Sequence, residues 1–214
     1  MRQKEALIID FDNTLVKTKE FVEKHLNLTL KKLGQKSVDQ QKIIDILKNN
    51  LPFEKIFEEL FGEEKGKIIL NSYRERAQET TYEATEGAVK LINKLKKKEI
   101  LVVLTTNRLN LIDLRLEQAG FEADSFVAKF TPNPPKPDIH AYDFSIEFLT
   151  SMGIRKEKIG FIGDSQDDYK AVPKDLKNNF TGVLTGLDSR EDFIKISLKE
   201  NQLINNLTEF SDFK

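Results

Sequence analysis

Residues 6–14 read Ala6-Leu7-Ile8-Ile9-Asp10-Phe11-Asp12-Asn13-Thr14. Four apolar residues in a row, without the alternation of a half-exposed strand, predict a strand buried on both faces that opens into a polar loop at Asp10. Comparable runs recur at Ile100 to Leu104, Ser125 to Phe130, Ile159 to Ile162 and Phe180 to Leu184. Between them apolar residues fall at helical spacing, as in Ala88, Leu91, Ile92 and Leu95, then Leu109, Ile112, Leu116 and Ala119. Strands alternating with helices predict an α/β fold with a doubly wound parallel sheet. Ligands of such sheets bind beyond the carboxyl ends of the strands, where the polar clusters of this sequence fall.

One segment breaks the alternation. From Val16 to about Ala84 no strand pattern occurs, but four helical ones do: Val22, Leu26, Leu30, Leu33; Ile43, Ile44, Leu47; Phe53, Ile56, Phe57, Leu60, Phe61; and Ile69, Tyr73, Ala77. They predict a small all-helical domain over 16–84, inserted just after the first strand, with 1–15 and 85–214 forming the α/β core. Its breaks are expected near Gly34, Asn49-Asn50 and Gly62 to Gly66, and Pro52 suits the first turn of the third helix. Lys31-Lys32 and Lys96-Lys97-Lys98 read as solvated helix ends beside a favourable dipole terminus.

With 214 residues, 39% of them hydrophobic, the chain can bury one substantial core plus an accessory domain. Lys and Arg total 34 against 35 Asp and Glu, so the net charge of -1 supplies no global field for nucleic acid or an anionic membrane. A polyanionic ligand therefore has to be held by a local site. The absence of Cys excludes disulfides and thiolate metal sites. Ala6 to Ile9 is too short for a signal-peptide core or a membrane span, and no later stretch approaches spanning length, so a cytoplasmic protein, monomer or homodimer, is expected. The broad apolar face of Phe53 to Phe61 serves either packing within the insert or dimerisation.

Four polar clusters carry the chemistry. Asp10 and Asp12, two apart at a strand end, project to one side if the chain stays extended, while Phe11 turns into the core. Alone, the pair is explained as well by a capping turn. Leu104-Thr105-Thr106-Asn107-Arg108 sets hydroxyls and amides just ahead of a helix, a placement that suits phosphate oxygens or a plain helix cap. Pro134-Pro135-Lys136-Pro137-Asp138 fixes one Lys in a proline-stiffened loop, where it can neutralise phosphate. Gly163-Asp164-Ser165-Gln166-Asp167-Asp168 ends another strand in carboxylates, the hard oxygen ligands that Mg²⁺ takes. Gly163 is best explained by close backbone approach in that loop.

In this order, and each at a strand end or the loop after it, the four pieces resemble the four motifs of the haloacid dehalogenase superfamily. Thr185-Gly186-Leu187-Asp188-Ser189-Arg190-Glu191-Asp192 is similar to a later stretch of its phosphoglycolate phosphatase-like members, so the resemblance runs from Ala6 to about Asp192. It implies a Rossmann-like core with a helical cap and a Mg²⁺-dependent phosphatase acting through an aspartyl phosphate. Carried over, it makes Asp10 the nucleophile and Asp12 the general acid and base, with Thr14 in the same loop. Asp10 and Asp164 bind Mg²⁺ with the backbone carbonyl of Asp12. Asp168 supports the metal shell through water or holds Lys136, and Asp167 is a neighbour easily mistaken for it. The family has one Ser or Thr in its second motif where this chain has two. The hydroxyl role falls to Thr105 and the backbone amide to Thr106, with the reverse assignment of the hydroxyl left open.

The alternatives within the superfamily are read from single positions. Dehalogenases lack an acid at the position of Asp12, and phosphonate-cleaving members use a cap Lys that Lys48 and Lys55 flank without occupying. Sugar phosphomutases carry a cap His near the place of Val22, whereas His25 comes one helical turn later. A non-catalytic phospho-ligand-binding module would be marked by loss of Asp10 or Asp12. His25 and His140 have no Cys or second His at metal-ligand spacing, which favours packing roles. Substrate choice, by the resemblance, falls to a loop between cap helices, here Leu47 to Phe53, in which Asn49 and Asn50 either hydrogen-bond a small hydroxylated metabolite or terminate a helix.

Overall fold

The computed structural model describes residues 5–48, 51–76, 81–107 and 109–211. In chain order the strands and α-helices are β1 (Ala6–Asp10), α1 (Thr18–Lys32), α2 (Gln40–Leu47), α3 (Phe53–Phe61), α4 (Glu63–Arg76), α5 (Ala88–Lys97), β2 (Leu101–Thr105), α6 (Ile112–Gln118), β3 (Ala128–Phe130), α7 (Asp143–Ser151), β4 (Ile159–Gly163), α8 (Gln166–Ala171), β5 (Phe180–Val183), α9 (Arg190–Lys195) and β6 (Leu203–Ile204). Among the described residues the strands form one six-stranded sheet, in the order β3-β2-β1-β4-β5-β6. Every neighbouring pair is parallel.

The order explains the sequence pattern. β1 lies at the centre, paired with β2 on one edge and β4 on the other. Its side chains alternate between faces, and Ala6, Leu7, Ile8 and Ile9 are all at most 1% exposed, so both faces are covered and the run has to be apolar throughout. Ala6 and Ile8 join a cluster with Tyr142, Ile146, Leu149, Phe161, Phe180 and Phe193. Ala88, Leu91, Ile92 and Leu95 of α5 are likewise buried.

The chain divides into two compact units, Met1–Lys17 with Glu83–Lys214, and Thr18–Tyr82. In the first, the two stretches beside the division run side by side. Lys17 donates its amide to Glu83 O at 2.9 Å, Thr85 N donates to Leu15 O at 2.9 Å, and Val16 bridges Ala84 antiparallel. The second unit holds α1 to α4. α1 buries Phe21, Val22, His25, Leu26, Thr29 and Leu30 on one stripe, and Phe57 and Tyr73 bring α3 and α4 together with ring centroids 5.4 Å apart.

Several local expectations are corrected. β6 is two residues long, too short to leave a periodic signal. The third strand begins at Ala128 because Ala123–Ser125 forms a 3₁₀ turn. α6 starts at Ile112, leaving Leu109 39% exposed. Pro52 is the N-cap of α3 rather than a residue of its first turn. Gly62 does end α3, with φ 82°, but Gly66 lies inside α4. A Cβ there would stand 2.6 Å from Phe57 O, so this glycine permits close helix approach instead of breaking the chain. Among the described residues no helix is long and apolar enough to cross a membrane.

Candidate active site

A strand order of 3-2-1-4-5-6 has its topological switch point between β1 and β4, where the connections leave in opposite directions and a crevice opens beyond the carboxyl ends. β1 ends at Asp10 and β4 at Gly163, just before Asp164, while Thr105 at the end of β2 pairs in register with Asp10. The sheet thus brings three of the four sequence clusters to one edge. Phe11 is fully buried and donates its amide to Thr105 O at 3.1 Å, which extends the pairing one residue beyond the strand.

The fourth cluster arrives through Lys136. Its Nζ lies 2.6 Å from Asp10 Oδ1, 2.6 Å from Asp168 Oδ1 and 3.4 Å from Thr105 Oγ1. The three charged side chains are 10%, 13% and 2% exposed for Lys136, Asp10 and Asp168. Little water therefore screens the ammonium from the carboxylates, and the pairing is stronger than a surface ion pair.

Asp168 is saturated with donors. Its Oδ1 accepts from Lys136 Nζ and from the Tyr142 hydroxyl at 3.1 Å, and its Oδ2 accepts from Ser165 N at 3.1 Å and Ser165 Oγ at 2.6 Å. Ser165 Oγ in turn accepts from Asp168 N at 3.1 Å, closing a capping box on α8. Of the two roles that the sequence left to Asp168, this arrangement matches the one that holds Lys136. Gly163 leaves room for it, since a Cβ there would meet Asp168 Cγ at 2.4 Å.

Asp164 is 6% exposed and accepts from Thr14 Oγ1 at 2.8 Å. Thr14 is held from behind, its carbonyl accepting from Thr85 Oγ1 at 2.6 Å. Thr105 also donates to Ile9 O at 3.3 Å, and Thr106 Oγ1 lies 3.5 Å from Asp12 Oδ2. One expectation needs correcting here. The Thr106 amide donates to Phe130 O at 3.0 Å, extending the β2–β3 ladder, so the hydroxyl, not the amide, is the group that Thr106 turns toward the aspartates.

Burial pushes the Asp10 carboxyl up to about 7; Lys136 opposes that rise, and the neighbouring Asp168 and Asp12 add to it. Burial likewise holds Asp164 well above the usual carboxylate range, with Asp10 and Asp168 adding and Thr14 and Lys136 opposing. For Lys136 burial works against the charge, but Asp10 and Asp168 outweigh it and lift the ammonium well above its ordinary value. One ammonium faces more carboxylate charge than it can neutralise. Oxygens of Asp10, Asp164 and Asp168 all lie within 4.8 Å of one another. An all-oxygen donor set short of positive charge fits a hard divalent cation such as Mg²⁺. With Asp168 already saturated, Asp10 and Asp164 are the carboxylates available to hold it.

Asn49 and Asn50 are outside the described residues. Lys55 pairs with Glu58 at 2.5 Å on the solvent side of α3, and Asp167 faces Lys170 at 3.7 Å. His140 pairs with Asp143 at 2.8 Å on the surface. His25 is 1% exposed within the helical unit, its Nε2 2.9 Å from Tyr73 O and its ring stacked on Phe21. Tyr142, Ser165 and Thr85 were missed, because a single hydroxyl among apolar or loop residues carries no spacing signal.

The sequence model of the haloacid dehalogenase-like hydrolase family matches residues 7–175, and the chain belongs to that family. No curated protein sequence matches the chain. Among solved structures, a haloacid dehalogenase-like family hydrolase from Streptococcus pneumoniae is similar at 17% identity and TM-score 0.70, covering 98% of this chain and 97% of its own. CbbY from Rhodobacter sphaeroides, solved in complex with phosphate, is similar at 17% identity and TM-score 0.68, with 98% and 97% covered. A predicted phosphatase from Clostridium acetobutylicum matches at 22% identity and TM-score 0.65, with 97% and 96% covered. At these identities the likeness concerns the fold.

Proposed function

We propose that the chain is a Mg²⁺-dependent phosphatase that hydrolyses a small-molecule phosphomonoester through a phosphorylated Asp10. The observation that carries this reading is Lys136 Nζ at 2.6 Å from both Asp10 and Asp168, beside the Thr105 hydroxyl and at the switch point of the sheet. Structural neighbours named as a phosphatase and solved with phosphate support it.

An Asp10 oxygen attacks phosphorus, and the bond to the leaving oxygen breaks while Asp12 gives that oxygen its proton. Asp12, now ionised, takes a proton from the water that attacks the same phosphorus, and the Asp10–phosphorus bond breaks to restore the carboxylate. Between a carboxylate and a phosphoryl oxygen, repulsion is about 4 kcal/mol per unit-charge pair near contact at an effective dielectric near 20. Lys136 counters it, and Mg²⁺, which Asp10, Asp164 and the Asp12 carbonyl would hold, would supply further charge neutralisation. Thr106 donates its hydroxyl to a phosphoryl oxygen, and Thr105 does the same once it releases the Ile9 carbonyl. Asp168 fixes Lys136 rather than reacting.

A sugar phosphomutase would need a cap histidine free to move protons, and the commitment of His25 to the Tyr73 carbonyl argues against it. A non-catalytic binding module has no use for the Asp10 and Asp12 pair. The leaving group is assigned to the region of Asn49 and Asn50 on sequence grounds alone, and a compact metabolite in the cytoplasm is the substrate class proposed. The test is a screen of phosphate esters with Mg²⁺ beside an Asp10→Asn control. Turnover by the parent that vanishes both in the control and in excess chelator is expected. Undiminished hydrolysis by folded Asp10→Asn overturns the reading.

A further inference from the structure

The turn that follows β5 touches both catalytic loops. Thr185 Oγ1 donates to Asn13 O at 2.6 Å, on the loop after Asp10 and Asp12. Asn13 sits at φ 56°, a left-handed conformation that Asn tolerates better than most residues and that this contact helps to hold. Three residues on, Asp188 Oδ2 accepts the Gln166 amide at 2.6 Å, and its Oδ1 lies 3.5 Å from Gln166 Nε2. Gln166 opens α8, so Asp188 satisfies its first amide while Ser165 satisfies the amide of Asp168.

Gly186 lies between the two. A Cβ there would come within 2.0 Å of Asp164 Oδ2 and 2.7 Å of its Cγ. Gly186 is not among the residues with positive φ, so its backbone conformation is open to any residue and space alone demands glycine. The turn therefore packs its main chain directly against the Asp164 carboxylate, whose other oxygen accepts from Thr14. One four-residue segment thus ties to Asn13, abuts Asp164 and caps the helix that starts two residues after it.

We infer that Thr185, Gly186 and Asp188 are positioning residues that set the Asp10 loop against the Asp164 loop and so determine how tightly the site binds its divalent cation. The inference rests on the phosphatase reading for the identity of the cation, not for the geometry. Carboxylates that are to share one ion must be held at a fixed separation, and partners behind metal ligands typically govern affinity by about 10- to 100-fold. Asp188 acts as an acceptor, so an amide at 188 retains the contact to Gln166 and a methyl group does not. The role could not be read from the sequence, because the turn lies 22 residues from Gln166 and 172 from Asn13 along the chain.

Mg²⁺ titration calorimetry on the full-length protein, without substrate, tests this apart from turnover. The parent is expected to bind one Mg²⁺, Asp188→Ala about 10- to 100-fold more weakly, and Asp188→Asn within about threefold of the parent. Thr185→Val, which removes the Asn13 contact at nearly constant volume, is expected to weaken Mg²⁺ several-fold. Gly186→Ala is expected to weaken it most, and thermal melts with circular dichroism separate that loss from unfolding. Equal Mg²⁺ affinity in folded Asp188→Ala and Thr185→Val overturns the positioning role even if both melt earlier. An Asp188→Asn defect as large as that of Asp188→Ala overturns it in favour of bare charge. A parent that binds no Mg²⁺ defeats the phosphatase reading first, a result distinguishable from either.

Discussion

The Tyr142 hydroxyl donates to Asp168 Oδ1 at 3.1 Å, on the same oxygen that accepts from Lys136 at 2.6 Å. Tyr142 is 2% exposed and belongs to the core cluster, so one phenol links hydrophobic packing to the charged site. Its Phe variant keeps the packing and deletes one of the four donors on Asp168. Hydrogen bonds to charged groups contribute about 1.5 to 3 kcal/mol, and the three remaining donors absorb part of the loss. Tyr142→Phe is expected to lower stability by about 1 kcal/mol and kcat roughly tenfold, with KM little changed. Denaturant melts and steady-state kinetics check this; parental values for both would show that Lys136 and Ser165 hold Asp168 unaided.

Lys136 offers the only described cation within hydrogen-bonding distance of Asp10, and its ammonium is held by Asp168 as well. Removing a contact that strengthens as charge develops on the phosphoryl group costs about 3 to 4 kcal/mol, on the order of a hundred- to a thousandfold in rate. Lys136→Ala is expected to show that loss chiefly in kcat on any substrate the parent accepts. A loss of only a fewfold would mean that another group neutralises the phosphate.

Asp10 gives a pH dependence whose sign differs from that of an ordinary surface aspartate. Burial pushes its carboxyl from 3.8 to about 7, so between those values the folded protein binds more protons than the unfolded chain. Stability of the metal-free protein therefore falls as pH rises through this window, by at most about 4 kcal/mol from this group at 1.36 kcal/mol per pKa unit. Asp10→Asn removes the dependence. In excess chelator the variant is expected to match or fall below the parent near pH 4 and to melt at a higher temperature near pH 8. Mg²⁺ at a hundred times its Kd returns about 2.7 kcal/mol to the parent and narrows that gap, and at a thousand times its Kd about 4.1 kcal/mol, which closes it. Melting curves of both proteins at the two pH values, with and without Mg²⁺, decide the matter, and a parent more stable than the variant in chelator at pH 8 would sink it.

What the sequence made legible follows the range of the physics involved. Apolar runs such as Ala6 to Ile9 report burial on both faces, so the parallel sheet and its helices were readable from local pattern. Asp10, Asp12, Thr105 and Asp164 stood out as candidates because each lies at or just beyond the end of such a run, and Lys136 because prolines flank it. Contacts formed across the fold left no mark. The Tyr142 hydroxyl looks like one more aromatic among buried residues, and Gly186 like any turn glycine, until Asp168 and Asp164 are set beside them. The Thr106 amide was misassigned for the same reason, since its partner Phe130 lies on the adjacent strand.

Gly66 was misread too, and it yields a prediction in which two effects of opposite sign compete. It lies in the interior of α4, where Ala is ordinarily better than Gly by about 1 kcal/mol. A Cβ at this position would meet Phe57 O at 2.6 Å, Phe57 C at 2.9 Å and Glu58 N at 3.1 Å. These are backbone atoms of α3, which cannot rotate aside as a side-chain tip can, so α3 and α4 must separate. Overpacking of this kind costs about 1 to 3 kcal/mol, and the cohesion of the helical unit relies on this approach, with the Phe57 and Tyr73 rings packed nearby. The clash outweighs the propensity gain. Gly66→Ala is expected to lower stability by up to about 2 kcal/mol and to speed hydrogen exchange at α3 and α4 amides more than in β1 or β4. At Gly62, where φ is 82° and no atom lies within 4 Å of a built Cβ, Ala meets no clash and costs only the left-handed conformation, about 1 kcal/mol. A Gly66→Ala protein as stable as the parent would show that the two helices have slack to part, and that α4 gains from alanine as an isolated helix does.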